Sequence, residues 1–331
     1  MKPIVADAAA ISEAALLLRQ GRLVAFPTET VYGLGADASN DGAVRRIFSA
    51  KGRPADHPLI VHIPAVEALA DWAQAVPESA SRLAAEFWPG PLTLVLKKKP
   101  KVSAVVTGGQ DTIALRMPDN PVALRLLQAF GGGIAAPSAN RFKHISPTRA
   151  AHVAAELGAC VAMILDGGPC QIGLESTIID LSGAQPMLLR PGQISRTQIE
   201  RVLGIDVTVI SLSEVAHADN SRAPGMMAVH YAPVTKALLC ASEQLPDKVL
   251  AETCKNRKVG VLAYRQILAQ TPSCHVIPMP AAAKDYAQVL YAALRELDAM
   301  QLNCILVEQP PDSEDWRAIN DRLSKATQRF Q

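Results

Sequence analysis

Cationic side chains stand at the ends of predicted helices and strands in the first 190 residues. Lys51 and Arg53 lie at the end of a predicted helix, and Arg116 and Arg190 each end an apolar predicted strand. An arginine that ends a buried strand needs an anionic partner, which is either a structural carboxylate or a bound ligand. Together these positions suit one substrate that carries several negative charges, as a nucleotide does.

Short segments of hydroxyl-bearing and small residues accompany these cations. They are Pro27–Gly35, Ala136–Asn140 and Gly173–Thr177, and each adjoins a predicted strand. Small side chains let the backbone approach a ligand closely, and connections at strand ends are where α/β proteins bind ligands. Ser146–Thr148 predicts the start of a helix, whose exposed N–H groups would favour an anion. Taken singly, each segment is typical of an ordinary turn or cap, but together they favour a binding cleft.

The two common nucleotide motifs do not account for such a cleft. The chain contains no Gly-Lys pair followed by Ser or Thr, so phosphates would be held by something other than a P-loop. Gly33–Ala38 matches the spacing of the dinucleotide fingerprint, but it begins well past the preceding predicted strand. No acidic residue ends a second strand about 20 residues further on, where the ribose contact would be needed. We interpret the glycines as part of a strand-to-helix connection.

Composition indicates a folded protein of one large domain or two ordinary ones. Of 331 residues, 49% are hydrophobic and 19% are charged, and the net charge is +2. These values favour a buried core over disorder or general polyanion binding. The six cysteines lack metal-binding spacing, and scattered thiols suit a reducing compartment. No signal peptide and no apolar run of about 18 residues is evident, so we predict a cytoplasmic protein without a membrane segment.

Helix and strand patterns alternate in two regions, with an aperiodic stretch between them. Residues 211–233, which we interpret as a linker, separate a first α/β domain over 1–210 from a smaller one over 234–331. In the smaller domain, strands are predicted over 237–240, 259–263 and 304–307, and helices over 281–300 and 314–327.

Eight ordered motifs in the first region resemble those of the Sua5/YrdC/YciO family. In order they are PTETVYGLG, KGRP with HPLIVHI, PGPLTLVL, ALRMPDNP, APSAN, SPT, ESTIIDL and LLRPG, and they cover roughly residues 10–205. The segment APGMMAVHYAP, residues 223–233, looks like the linker of the longer, Sua5-type members. The resemblance implies a YrdC-like twisted mixed sheet flanked by helices with a ligand cleft, followed by a Rossmann-like α/β Sua5 domain.

The same resemblance implies a nucleotidyltransferase activity. The substrates would be L-threonine, bicarbonate and ATP, and the products L-threonylcarbamoyl-adenylate, pyrophosphate and water. Mg²⁺ would accompany ATP without direct protein ligands. A Kae1/TsaD-type transferase would then pass the threonylcarbamoyl group to adenosine 37 of tRNA, with at most weak tRNA contact by this chain. Because the product anhydride hydrolyses readily, the linker would close over the site as a lid.

Roles for individual residues follow from the resemblance where the motifs match. Catalytic roles fall on Lys51, Arg53, Ser138 and Asn140. Threonine-binding roles fall on Thr30, His62, Arg116, Ser138 and Ser176, with Arg116 pairing with the substrate carboxylate. ATP-binding roles fall on Lys51, Arg53, His57, Thr112, Asn140, Thr148, Arg190, His230 and Tyr231.

Two other functions remain open from the sequence. A double-stranded RNA-binding module of the same fold would use the basic run Lys97–Lys101, although such a run is also typical of a solvated strand end. A YciO-like paralogue would share the fold but have a different activity; the linker and second domain argue against it, because the short forms lack them. One departure concerns Met227–Val229, where many relatives carry basic residues in the linker.

Overall fold

The described part of the chain forms two compact units. The computed structural model describes residues 1–209, 223–225 and 229–327. The described residues of 1–142, 147–171 and 175–226 belong to the first unit, and those of 143–146, 172–174 and 227–331 to the second. Most of the predicted linker, 210–222 and 226–228, lies outside the described residues.

A mixed sheet forms the centre of the first unit. Its strand order among the described residues is β1-β8-β2-β3-β7-β4-β6-β5-β9-β10-β11, with both parallel and antiparallel neighbours. The strands are β1 Ile4–Val5, β2 Val24–Phe26, β3 Gly33–Asp37, β4 Ile60–His62, β5 Leu92–Lys97, β6 Thr112–Arg116, β7 Ile134–Ala135, β8 Met163–Asp166, β9 Thr177–Asp180, β10 Met187–Arg190 and β11 Thr208–Val209.

Helices with clear sequence signals flank this sheet. Asn40 accepts a hydrogen bond from the N–H of Ala43 at the start of α2, and Gly52 ends that helix with a left-handed φ of 62°. Ser195 and Gln198 form a capping box at the start of α8. The helices are α1 Ala8–Arg19, α2 Asp41–Lys51, α3 Leu69–Trp72, α4 Glu78–Phe87, α5 Ala104–Thr107, α6 Pro121–Phe130, α7 Ala150–Leu157 and α8 Arg196–Leu203.

The two faces of the central strands differ in chemistry. Successive side chains of a strand point to opposite faces. One face presents large apolar residues such as Val61, Leu94 and Leu115 to the main hydrophobic core. The other face carries a smaller apolar cluster that includes Ile60 and Ala114. Thr112 and Arg116 are each two residues from Ala114 along β6. Because the side-chain period of a strand is two residues, both polar side chains point to the same face as Ala114.

The glycines of the motif Pro27–Gly35 lie in a strand, so their interpretation as part of a strand-to-helix connection is wrong. Gly33 and Gly35 belong to β3, which pairs antiparallel with β2. A Cβ on Gly35 would lie 2.8 Å from the Phe26 ring and 3.1 Å from the Val24 carbonyl oxygen. Glycine is therefore required here for close strand packing, and not for approach to a dinucleotide.

The predicted helix start at Ser146–Thr148 is also wrong. Helix α7 begins at Ala150, with Arg149 in the cap position. The backbone before it is engaged elsewhere: the N–H of Tyr32 donates to the Pro147 carbonyl, and the N–H of Thr148 donates to His152 Nδ1. The helix therefore starts at Ala150 rather than within Ser146–Thr148, and the residues before it form a connection.

The second unit contains a four-stranded parallel sheet in the described residues. Its order is β12-β15-β13-β14, and every pair is parallel. The central strands β13 and β15 are buried throughout, as expected for a parallel sheet covered on both faces. The strands are β12 Ala237–Cys240, β13 Val259–Ala263, β14 Cys274–Pro278 and β15 Cys304–Glu308, and helices span Leu245–Thr253, Ala283–Asp298 and Arg317–Thr327.

A buried carboxylate occupies the carboxyl end of this parallel sheet. Glu308 is the last residue of β15 and is fully buried. Its Oε2 accepts hydrogen bonds from the N–H groups of Tyr264, Arg265 and Gln266, at 2.6, 2.9 and 3.1 Å, and its Oε1 accepts from the Ser242 hydroxyl at 2.5 Å. Burial alone would raise the pKa of Glu308, but these hydrogen bonds lower it overall.

We expect Glu308→Gln to loosen the chain that follows β13. A neutral amide accepts hydrogen bonds about half as strongly as a carboxylate, so amide hydrogen exchange at Tyr264–Gln266 should accelerate by roughly tenfold at pH 7. Because the folded pKa lies below the unfolded one, the stabilisation is present above the unfolded pKa and is lost as the pH falls through the folded value. Glu296→Gln, at a glutamate that is 63% exposed, is the control. Equal exchange rates in both variants would contradict the prediction.

Candidate active site

Arg116 organises the first cluster of predicted site residues. It ends β6 and is 3% exposed. Its Nη1 donates to Thr30 Oγ1 at 2.9 Å, its Nε donates to the Gly90 carbonyl at 3.2 Å, and its Nη2 lies 2.5 Å from Glu29 Oε1. Three of the five guanidinium N–H groups are therefore engaged, and the planar fork is held in a fixed orientation.

His62 lies beside this cluster. It ends β4 in direct register with Arg116 on β6, and its ring meets the Phe26 ring edge to face at 6.1 Å. Burial and the neighbouring Arg116 guanidinium lower the pKa of His62 to about 3, although a backbone hydrogen bond at Ile134 opposes the shift. The imidazole is therefore neutral at physiological pH, and it can donate or accept a hydrogen bond without adding charge.

Arg190 and Ser176 form a second cluster. Arg190 Nε donates to the Ser176 carbonyl at 2.9 Å, and its Nη2 donates to the Ser176 hydroxyl at 3.1 Å. The Ser176 hydroxyl also shares a 2.7 Å hydrogen bond with Thr93 on β5. The linker reaches this cluster as well, because Arg190 Nη1 donates to the Pro224 carbonyl at 3.0 Å and Ala223 packs with the apolar residues of the same sheet face.

Lys51 joins helix α2 to the Ala136–Asn140 segment. Its Nζ donates to the carbonyls of Ser138 and Asn140 at 2.5 and 2.6 Å, and only 3% of the residue is exposed. Burial, together with the nearby Arg53 charge, lowers the pKa of Lys51. The Asn140 side chain is buried and donates to the Arg141 carbonyl. The predicted catalytic residues Lys51, Ser138 and Asn140 are thus brought into direct contact.

Of the remaining predicted ATP-side residues of this unit, Thr112 lines a shallow depression. Arg53 Nη2 donates to the Pro58 carbonyl at 2.9 Å, and His57 lies next to Pro58 in the chain. The depression is lined by Pro58, Thr112 and Leu189, and it continues to Ala223 and Pro224. Arg53 and Arg190 thus each donate a hydrogen bond to the carbonyl of a residue that lines the depression, Pro58 and Pro224 respectively.

Thr148 lies apart from these contacts but near the amino-acid cluster. It is 3% exposed, and its carbonyl accepts from the N–H of Cys170 at 3.0 Å. Burial raises the pKa of the Cys170 thiol, and the Glu29 carboxylate adds to the effect. The structure therefore connects Thr148 to the Glu29 neighbourhood through Cys170.

His230 and Tyr231 belong to the second unit, where they are packed against its helices. Tyr231 is 1% exposed, stacks on Tyr291 at 5.8 Å and lies under the Arg322 guanidinium at 5.3 Å. The His230 ring contacts the Tyr231 ring, and the His230 N–H donates to the Lys325 carbonyl. Their proposed contact with ATP stays a prediction.

Main-chain carbonyls accept hydrogen bonds from all the buried cations of the first unit's site. Such acceptors fix the orientation of each cation. Among residues 1–209, 223–225 and 229–327, no group of three His, Cys, Asp or Glu side chains is arranged to hold a metal ion. Within the same ranges, no helix is both long and apolar enough to cross a membrane.

Two side chains at the site were given no role by the sequence analysis. Thr93 lies inside an apolar strand and shows no signal apart from being a hydroxyl at an alternating position. Glu29 is a carboxylate within the Pro27–Gly35 motif, and its pairing with Arg116 only becomes visible when β2 and β6 are folded into one sheet. Its position as the one acid within that motif is the signal that could have indicated it.

Family models match both units of the chain. A model named Sua5_yciO_yrdC, described as "Telomere recombination", matches residues 16–192. A second, named Sua5_C and described as "Threonylcarbamoyl-AMP synthase, C-terminal domain", matches residues 194–328. The chain belongs to the Sua5/YrdC/YciO family, and its second region is a Sua5 C-terminal domain, so the predicted resemblance and fold class are confirmed.

Full-length relatives share this organisation. The threonylcarbamoyl-AMP synthase of Pyrococcus abyssi is 42% identical over 320 residues, covering 95% of this chain and 93% of the relative. That of Bacillus subtilis is 44% identical over 321 residues, covering 96% and 92%. The crystal structure of P. abyssi Sua5 complexed with L-threonine is 41% identical and matches with a TM-score of 0.89, covering 96% of this chain and 94% of that one.

We predict that His62 does not titrate between pH 5 and pH 8. Its folded pKa of about 3 lies below the value near 6.5 of an unfolded histidine, so the unfolded chain binds more protons between these values. Stability therefore falls as the pH drops from about 6.5 to 3. The His62 ring resonances in NMR spectra, assigned with His62→Gln, should stay constant from pH 5 to 8, while urea-unfolded protein titrates normally. A midpoint near 6.5 in the folded protein would contradict the assignment of a neutral ring.

Proposed function

We propose that the chain is a threonylcarbamoyl-AMP synthase, a nucleotidyltransferase that converts L-threonine, bicarbonate and ATP into L-threonylcarbamoyl-adenylate and pyrophosphate. The observation that carries this proposal is the presence of Thr30, His62 and Arg116 beside Ser176 and Arg190 on one sheet face. Relatives of 42 to 44% identity that span nearly the whole chain carry this activity in their names, which supports the same function here.

L-Threonine would bind at the Arg116 cluster. The guanidinium has two N–H groups beyond the three already engaged, and an arginine fork matches a carboxylate in two parallel hydrogen bonds. Thr30, His62, Ser138 and Ser176 supply short polar groups around it for the hydroxyl and amine of the substrate. Since His62 is neutral, it adds no charge that would repel the ammonium.

ATP would lie along the depression bordered by Arg53, Thr112 and Arg190. Lys51, Arg53 and Arg190 would face the phosphates, while His57, Asn140 and Thr148 would contact the rest of the nucleotide. Support comes from the hydrogen bonds that Arg53 and Arg190 donate to Pro58 and Pro224, which both line one depression together with Thr112. Mg²⁺ would arrive as part of the ATP substrate.

The reaction would proceed by alignment and charge stabilisation, without a covalent protein intermediate. The threonine nitrogen bonds to the carbon derived from bicarbonate, and water leaves, giving a carbamate. A carbamate oxygen then attacks the α-phosphorus of ATP, and pyrophosphate leaves. Fixed cations stabilise charge as it develops on the phosphates, and holding both substrates on one face supplies the orientation.

The linker would act as a lid over this site. Two contacts support this role: Ala223 packs in the apolar cluster of the sheet face, and the Pro224 carbonyl accepts a hydrogen bond from Arg190. His230 and Tyr231, further along the same linker, would complete the enclosure when ATP binds. Excluding water protects the anhydride product until it is transferred.

The product requires a consumer, and we propose a Kae1/TsaD-type transferase that modifies adenosine 37 of tRNA to N6-threonylcarbamoyladenosine. We place the reaction in the cytoplasm, where the cysteines would stay reduced. Consistent with this, none of the six cysteines, all of which lie in the described ranges, is in a disulfide.

The activity is tested by incubating the full-length protein with ATP, L-threonine and bicarbonate and measuring pyrophosphate and the adenylate. We expect both products only when all three substrates are present. Pyrophosphate release that is independent of threonine, or its complete absence while double-stranded RNA binds with steep salt dependence, would contradict the proposal.

Arg116→Lys tests the threonine assignment within this reaction. Lysine keeps the charge but loses the planar fork, so KM for L-threonine should rise about tenfold or more while KM for ATP changes little. Arg125→Lys, at an exposed arginine on α6, is the matched control. If KM for ATP rises and that for threonine does not, the two substrates have been assigned to the wrong clusters.

A further inference from the structure

Glu29 is a buried acid that the proposed reaction, as described above, does not use. It is 2% exposed and lies 2.5 Å from Arg116 through its Oε1, while its Oε2 accepts no hydrogen bond from the described residues. An ionised carboxylate offers about four acceptor positions, and buried polar atoms in native proteins are nearly always hydrogen-bonded. The unused acceptor capacity therefore indicates a donor that is absent from the chain itself.

From these contacts we infer that Glu29 binds the α-ammonium group of the amino-acid substrate. This inference rests on the proposed function, and it adds the anionic half of the amino-acid site. The residues assigned to threonine so far supply one cation and several neutral groups. A zwitterion carries both charges, and its ammonium needs an acceptor at a site that already contains Lys51, Arg53, Arg116 and Arg190.

The local backbone fixes Glu29 in position for this role. The Thr28 hydroxyl accepts hydrogen bonds from the N–H groups of Thr30 and Val31, both at 3.2 Å, and donates to the Val31 carbonyl at 2.6 Å. This is a serine/threonine turn, and it sets the direction of the two side chains between its ends. Glu29 and Thr30 consequently meet Arg116 together.

Charge and distance favour the ammonium over other donors. Arg116 presents its free N–H groups to a carboxylate, and Glu29 lies directly beside that guanidinium. An α-amino acid carries its ammonium and its carboxylate on the same carbon atom, so a cation and an anion in direct contact match its spacing. Paired charges at a buried site attract more strongly than in water, because the local dielectric constant is lower. The pair therefore selects α-amino acids over hydroxy acids that lack the amine.

The inference is tested with two ligands and one isosteric variant. L-Threonine and (3R)-3-hydroxybutanoate share the carboxylate and the hydroxyl, but only threonine has the ammonium. We expect wild-type protein to bind threonine at least tenfold more tightly than 3-hydroxybutanoate, measured by ligand-detected NMR competition. In Glu29→Gln this preference should fall to about twofold or less, while the affinity for 3-hydroxybutanoate and for ATP stays within twofold of wild type.

Asp180→Asn is the control for the loss of a buried carboxylate elsewhere in the same unit. Asp180 is the last residue of β9, whereas Ser176 directly precedes the first residue of that strand. Glu29→Asp retains the charge and should keep part of the preference for threonine over 3-hydroxybutanoate. This variant replaces Glu29→Gln if thermal unfolding shows that the glutamine variant does not fold. If Glu29→Gln no longer binds either threonine or 3-hydroxybutanoate, the inference is overturned, because Glu29 would then only position Arg116. An unchanged preference would overturn it too. If wild-type protein binds no threonine at all, it is the proposed function that fails.

Discussion

Burial of positive charge constrains the whole first unit. Lys51, Arg53, Arg116 and Arg190 are each at most 9% exposed. An isolated buried charge is costly, so each needs acceptors at fixed positions. Those acceptors are main-chain carbonyls of Pro58, Gly90, Ser138, Asn140, Ser176 and Pro224. The connections that contain these residues must therefore adopt the conformations that the cations require.

This arrangement explains why the functional motifs lie in connections from widely separated parts of the chain. A carbonyl oxygen compensates a cation only in part, so a phosphate or carboxylate can still gain from binding. Arg116 differs because it also has a carboxylate partner in Glu29. The amino-acid side of the site thus carries both signs of charge, whereas the other three cations border the side proposed for the triphosphate.

The second unit buries a negative charge instead, and main-chain N–H groups bind it. The carboxyl end of a parallel sheet is a common ligand site, because backbone N–H groups there can receive an anion. Here three such N–H groups, from Tyr264 to Gln266, are taken by the chain's own Glu308. A ligand anion would have to displace a fully buried and hydrogen-bonded carboxylate. Glu308 thereby fixes the connection after β13.

The sequence by itself determined the α/β class, the caps of α2 and α8 and the ordered motifs of the site, because these depend on local periodicity, hydrogen bonding to neighbouring residues and residue types in a row. The sequence alone misassigned Gly33–Gly35, because a glycine in a tightly packed strand has the same local signal as a glycine in a loop. It also misassigned the start of α7, because a polar connection held by distant backbone groups has the same local signal as a helix cap. Only the tertiary structure decided which residues meet. Strand pairing brings Glu29 to Arg116 and Thr93 to Ser176 across separations of 87 and 83 positions, and no local pattern encodes such contacts.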